Sequence, residues 1–243
     1  MSRQVKAEWI KARSLRSTWI IVALSIVGIV AQAITALVKG QVSDPAGTTQ
    51  DIMSGSSYTL ALMVIIGTLI TATEYSQKSI ITTYTVTPDR LRPVIAKAIV
   101  IVGIALAIGA LSVPLSRLIA AIWFAAGSGS WDAGVGTAIH YAYGTMLTYA
   151  GFGVLGVMIG VLCRSTAIGV GVAFTAIFII DPLLAGVSKY SEYAVTSAAT
   201  TLLDPDAQAT SQPRFGSAIA LLVIYVLVVG AVAIAIERRR DVD

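Results

Sequence analysis

Six stretches of this chain are too long and too apolar to sit inside a water-soluble fold: roughly 19–38, 55–73, 96–113, 141–162, 167–187 and 217–236. An α-helix rises about 1.5 Å per residue, so about 20 residues cross the ~30 Å of bilayer hydrocarbon. Within lipid each backbone N–H and C=O must be paired inside its own segment, which makes such runs helices. Charge is correspondingly scarce. Only 12% of the 243 residues are Asp, Glu, Lys or Arg, about half of what a soluble domain carries. The fold class that follows is an all-α integral membrane protein with six transmembrane helices. It is read as a single domain over 1–243, because no charged linker or soluble segment divides it. The first run follows a basic stretch, as the core of a secretory signal does. At about 20 apolar residues it is a full span, and it is expected to remain in the mature chain.

The connections between the runs alternate between two sides, and the basic residues are shared unequally. Arg3, Lys6, Lys11, Arg13, Arg16, Lys78, Arg90, Arg92, Lys97, Arg164, Arg238, Arg239 and Arg240 put 13 on one side, against 4 on the other: Lys39, Arg117, Lys189 and Arg214. Cytoplasmic flanks carry the excess of Lys and Arg, so the first side is cytoplasmic and holds both termini. The net charge of +4 is spread over these short clusters rather than gathered in one patch. That distribution argues against nucleic acid as a partner and for membrane lipid.

Two cytoplasmic segments stand out. In 1–18, Val5, Trp9, Ala12, Leu15 and Trp19 follow helical spacing while Arg3, Lys6 and Arg13 fall elsewhere. This predicts a helix lying on the inner membrane surface, although Glu8 and Arg16 intrude on its apolar side. The plainer alternative is a basic flank that only fixes topology. The connection 74–95 contains Ile80, Ile81, Tyr84 and Val86, which a solvated loop does not need. A short helix docking on a protein partner and a self-packed loop both account for them, with Pro88 and Pro93 as punctuation. On the other side, Pro114 interrupts the third run and Arg117 follows Lys97 by about 30 Å of helix. The apolar stretch 118–126 is expected to be an outer extension or to lie in the interface. The connection 188–216 is the longest external loop.

Isolated charges and small residues complete the reading. Glu74 closes the second run, where a carboxylate reaches the headgroups or pairs with a nearby Lys or Arg. We read it as a structural or coupling charge rather than a proton carrier. Asp181 precedes Pro182 in the fifth run and marks either a helix break near an outer mouth or the end of the span. Gly156-x-x-x-Gly160, with Gly151 and Gly153 before it and Gly169 and Gly171 in the next run, suits close helix contact. His140 is the only histidine and Cys163 the only cysteine, and they fall at opposite faces. No catalytic pair or clustered metal-ligand set is therefore expected.

Three groups of residues carry a resemblance to a family. Glu8-x-x-Lys11 with Arg13, Arg16 and Trp19 forms the first group. The second is Glu74-Tyr75, Ser79-Ile80, Thr82-Thr83, Thr87-Pro88, Arg90 and Lys97. Arg239-Arg240-Asp241 forms the third. In these the chain resembles the membrane subunit of type-2 ABC exporters, the permease class of bacterial drug, antibiotic and polysaccharide export. The resemblance implies an N-terminal elbow helix containing Glu8, Trp9 and Lys11. It implies a coupling helix in the 74–95 loop, with Ser79, Ile80, Thr83, Tyr84, Pro88 and Arg90 facing a cleft of an ATPase subunit. Arg164 would make a second, smaller contact. Two permease copies, alike or related, would face each other across the path in a bacterial plasma membrane, with two ATPase subunits below. ATP and Mg²⁺ would be held by those subunits and not by this chain.

A phosphate-binding loop ends in Gly-Lys-Ser/Thr, and the sequence contains no Gly-Lys pair. The ATPase is therefore expected on a separate polypeptide. A secondary transporter is the first alternative, but neither a repeat nor a mid-span charge of the usual kind is present. A non-transporting immunity or sensor protein is the second. The expected cargo is a hydrophobic drug, antibiotic, peptide or lipid.

Overall fold

The computed structural model describes residues 1–39, 52, 57–77, 91–126, 135–187, 191–204 and 213–239. Among these, every regular element is helical. In chain order they are α1 (Ser2–Ser14), α2 (Arg16–Lys39), α3 (Ser57–Ser76), α4 (Leu91–Ala126), α5 (Val135–Cys163), α6 (Thr166–Gly186), a 3₁₀ turn (Ser191–Tyr193), α7 (Val195–Leu203) and α8 (Phe215–Arg239). Six of them, α2 to α6 and α8, are long and apolar enough to cross a bilayer. The end of the bundle carrying α1, the α3–α4 connection and the Arg164 turn is called the basic end below.

The centre of the bundle is the seam between α3 and α5, and glycine makes it. A Cβ on Gly67 would lie 2.3 Å from the Gly153 carbonyl oxygen, and one on Gly156 would lie 2.1 Å from the Val64 carbonyl oxygen. Backbone therefore meets backbone, and no larger residue fits at either position. Thr68 Oγ1 uses that closeness to donate across the seam to the Gly156 carbonyl at 3.1 Å. Around it, Met63 and Ile66 of α3, Ile101 of α4, and Tyr149 and Phe152 of α5 are fully buried. α4 packs on α5 and α8 covers another flank of it, with Leu222 over Gly151. Ile168, Val172 and Phe178 of α6 and Val223 and Leu227 of α8 stay exposed, as befits surfaces whose solvent is hydrocarbon.

Three details depart from simple spans. Through Pro114, α4 continues as one helix of 36 residues, about 54 Å long. Of the two expectations for 118–126, the extension is the one observed. Proline removes one backbone donor, which a long helix tolerates where neighbouring groups compensate. α5 begins at Val135 rather than near 141. α6 does not break at Asp181. It widens into a π-helical turn over Ala176–Ile180 and resumes over Asp181–Gly186, the extra residue in the turn accommodating Pro182. At the other end of the chain, Leu15 is extended (φ −77°, ψ 122°) and separates α1 from α2.

Candidate functional site

Four charged side chains from three helices meet at the basic end. Glu8 lies on the packed face of α1, one turn from the fully buried Ala12, so the position that interrupts the apolar stripe points inward. Lys97 stands in the second turn of α4 and Glu74 in the last turn of α3. Lys97 Nζ lies 2.6 Å from Glu8 Oε2 and 2.8 Å from Glu74 Oε1. Lys11 Nζ lies 3.1 Å from Glu8 Oε1 and 3.1 Å from Glu74 Oε1. The result is a closed ring in which each lysine touches both carboxylates and the charges cancel.

Burial differs around the ring. The Lys97 side chain is 1% exposed and that of Lys11 47%. An isolated buried ammonium is very costly, so Lys97 depends on its two carboxylates. Burial also works against the Lys11 ammonium. The Glu74 and Glu8 carboxylates outweigh it and hold its pKa above the ordinary lysine value. The ring joins the helix before segment 78–90 to the helix after it, and both to α1.

A second joint lies beside the first. Arg164 has φ +50°, the left-handed conformation that closes a helix and that glycine adopts most cheaply. It ends α5, its N–H bonding the Gly160 carbonyl at 3.1 Å, and lets α6 start two residues later. The side chain accounts for an arginine in a glycine-like position. Its Nη2 donates to Glu237 Oε2 of α8 at 2.8 Å, and the guanidinium lies 5.4 Å from the centroid of the Tyr75 ring. Ser76 Oγ accepts the Thr166 N–H at 3.1 Å and lies 3.0 Å from Thr166 Oγ1. Tyr75 and Ser76 directly follow Glu74, so the end of α3 carries both joints.

At the opposite end, Asp181 is buried, and its two carboxylate oxygens accept the N–H groups of Val195 and Thr196 at 2.8 and 2.7 Å. Those are orphan donors at the start of α7, so Asp181 caps that helix from α6. Tyr141 donates to Asp204 Oδ1 at 2.8 Å and Tyr225 to the Tyr193 carbonyl at 3.0 Å. A Cβ on Gly144 would lie 1.9 Å from the Leu202 carbonyl oxygen, so α7 rests directly on the α5 backbone. His140 packs edge to face on Phe215.

Of the residues singled out from the sequence, Glu8, Lys11 and Glu74 meet in the ring, and Arg164 stands at the adjoining turn. Trp9 lies on α1 but takes no part, being half-exposed beside α2. Ser79, Ile80, Thr83, Tyr84, Pro88 and Arg90 lie outside the described residues. Sequence reasoning missed Lys97 as the ring's most buried member, counting it for topology and in the family resemblance but giving it no partner. It also missed Glu237, a carboxylate at the end of the last span in the same relation to the surface as Glu74. Among the described residues the gathered groups are ammonium, guanidinium and carboxylate, paired with one another between separate helices.

A sequence model described as ABC-2 family transporter protein matches residues 4–181. The match takes in α1, the ring, the Arg164 turn and Asp181. No curated protein matches the sequence at a significant level.

Proposed function

The chain belongs to the ABC-2 family of transporter proteins, and on that premise we propose that it is the permease subunit of an ATP-binding cassette exporter. A separate ATPase subunit drives it, and two copies of each make the working complex. The basic end faces the cytoplasm, with α1 lying on the inner surface as an elbow helix. ATP-driven closure of the ATPase pushes on 78–90, and the ring passes that displacement to α3, α4 and α1 together. The Arg164 turn takes a smaller share and passes it to α8. The permease performs no chemistry and contributes access and differential affinity. Its cargo is a hydrophobic drug, antibiotic, peptide or lipid.

The observation that carries this reading is the ring of Glu8, Lys11, Glu74 and Lys97, which locks both flanks of 78–90 to a third helix. A loop without mechanical duty has no need of a buried lysine at its exit. Co-expression with the ATPase encoded nearest to this chain, followed by reconstitution, tests it. The chain alone hydrolyses no ATP, the pair does, and deletion of 83–88 or substitution of Arg90 dissociates the pair or uncouples transport from hydrolysis. Strong ATP hydrolysis by the chain alone, or transport driven by a proton gradient without any ATPase, overturns the reading.

A further inference from the structure

We infer that the slot between α1, α2 and α4 is a binding site for one anionic phospholipid. A cavity of about 340 Å³ opens there, with Trp9 and Arg13 of α1, Thr18 and Trp19 of α2, and Gly103 to Leu111 of α4 along its walls. Those α4 residues span about 12 Å of helix, close to the ~15 Å of hydrocarbon in one leaflet. The body of the slot is aliphatic and suits an acyl chain.

The polar groups at its α1 end choose the headgroup. Thr18 is 5% exposed, lines the slot, and its hydroxyl has no hydrogen-bond partner. A buried hydroxyl in that state points to a missing ligand atom. Arg13 is exposed at the rim, and among the described residues its guanidinium makes no ion pair. Lys6 lies two turns earlier on the same side of α1. The rim is preformed, because the Trp19 indole N–H donates to the Arg13 carbonyl at 2.8 Å and fixes the α1–α2 corner. One free cation and one free hydroxyl above an apolar slot match a phosphodiester above an acyl chain. A neutral drug leaves the Arg13 charge uncompensated. Placing the lipid in the inner leaflet rests on the orientation proposed above, whereas the site itself does not.

The full chain is reconstituted in nanodiscs of equimolar phosphatidylglycerol and phosphatidylcholine, released, and examined by native mass spectrometry. Wild type retains phosphatidylglycerol in preference to phosphatidylcholine. Arg13→Gln lowers that preference about fivefold, the loss of one interfacial cation. Gly103→Leu abolishes retention, and it does so in a folded protein, since a Cβ at Gly103 meets no atom within 4 Å. Independently, phosphatidylglycerol brominated on the acyl chain quenches Trp9 and Trp19 after Trp123 and Trp131 are changed to Phe, and Gly103→Leu relieves the quenching. Equal retention of the two lipids overturns the site, as does retention unchanged in Gly103→Leu. Absence of quenching because a second copy of the chain covers the slot overturns it as well.

Discussion

The two ends of the bundle are tied by different chemistry. At the basic end, charged side chains from separate helices meet one another: α1, α3 and α4 in the ring, and the α5–α6 turn with α8 through Arg164 and Glu237. At the other end, side chains mostly meet backbone: Asp181 caps α7 and Tyr225 bonds the Tyr193 carbonyl, with Tyr141 to Asp204 the side-chain pair beside them. The difference concerns what each joint fixes. A carboxylate on a helix N-terminus attaches one short element to one residue. A ring of alternating charges holds only while all its helices keep their relative positions, so displacing one displaces the others. Buried ion pairs are a weak source of net stability and a strong penalty when broken. On the function proposed above, they suit an end that moves as one body, and the caps suit an end that stays closed over its own backbone.

The largest break in this contrast comes from Lys97→Met. It leaves Glu8, 3% exposed, with the half-exposed Lys11 as its one remaining ion-pair partner among the described residues. Removing one partner of a buried pair costs about 3–5 kcal/mol. We expect a corresponding fall in the thermal unfolding midpoint in detergent, and loss of ATPase coupling in whatever protein survives. Adding Glu8→Gln to Lys97→Met removes one of the stranded charges and recovers part of the stability without recovering coupling. A double variant that couples normally would show that the ring is a packing device alone.

Asp181→Ala tests the other end. It strands two backbone donors at the start of α7 and removes charge-assisted bonds, a cost of about 1.5–3 kcal/mol. Hydrogen exchange over 195–203 should rise while exchange at the basic end and ATP turnover with the partner stay as in wild type. If ATP turnover falls as far as it does in Lys97→Met, the two ends are not mechanically distinct.

The sequence made one end far more legible than the other, for physical reasons. Hydrocarbon thickness demands about 20 apolar residues, so the spans announce themselves. Glu74 is conspicuous because a carboxylate is costly at that depth. The rest of the ring is not, because Lys11 lies 63 residues from Glu74 and Glu8 lies 89 residues from Lys97, and no spacing rule relates positions so far apart. Glu8 looks like a flaw in an amphipathic pattern until its partner on α4 is known. Gly156-x-x-x-Gly160 signals close packing, yet nothing local says that Gly67 is the facing residue. Asp181-Pro182 reads as a break or as the end of the span. The outcome is a π-helical turn before Pro182, and the carboxylate caps α7, which the sequence does not place beside it. Glu237 hides against the arginines that follow, whose evident role in topology masks the pair with Arg164.

Glu237→Gln is a gentler probe of the second joint. A neutral amide still accepts from Arg164, and a neutral hydrogen bond is worth roughly half a charged one, so the loss is about 1 kcal/mol. Coupling should weaken without vanishing, because the ring remains. Glu237→Leu removes the acceptor altogether and should weaken it further. A loss equal to that of Lys97→Met would make the Arg164 turn, and not the ring, the principal joint.

Lys11 gives the smallest effect, and pH reads it. Its pKa is raised in the folded chain, where Glu74 and Glu8 outweigh the cost of burial. The stability it contributes is therefore fully present below the ordinary lysine value of about 10.4 and is lost as pH rises through the higher folded value. Lys11 is half-exposed, so solvent screening holds that contribution to about 0.2–1 kcal/mol. Between about pH 7 and 9, wild type and Lys11→Gln should differ in unfolding midpoint by a small constant amount, and the two should converge only as pH rises above about 10.4 through the higher folded value. A difference that grows with pH means that Lys11 is charged against its environment, and that the ring's outer half opposes the inner half instead of closing it.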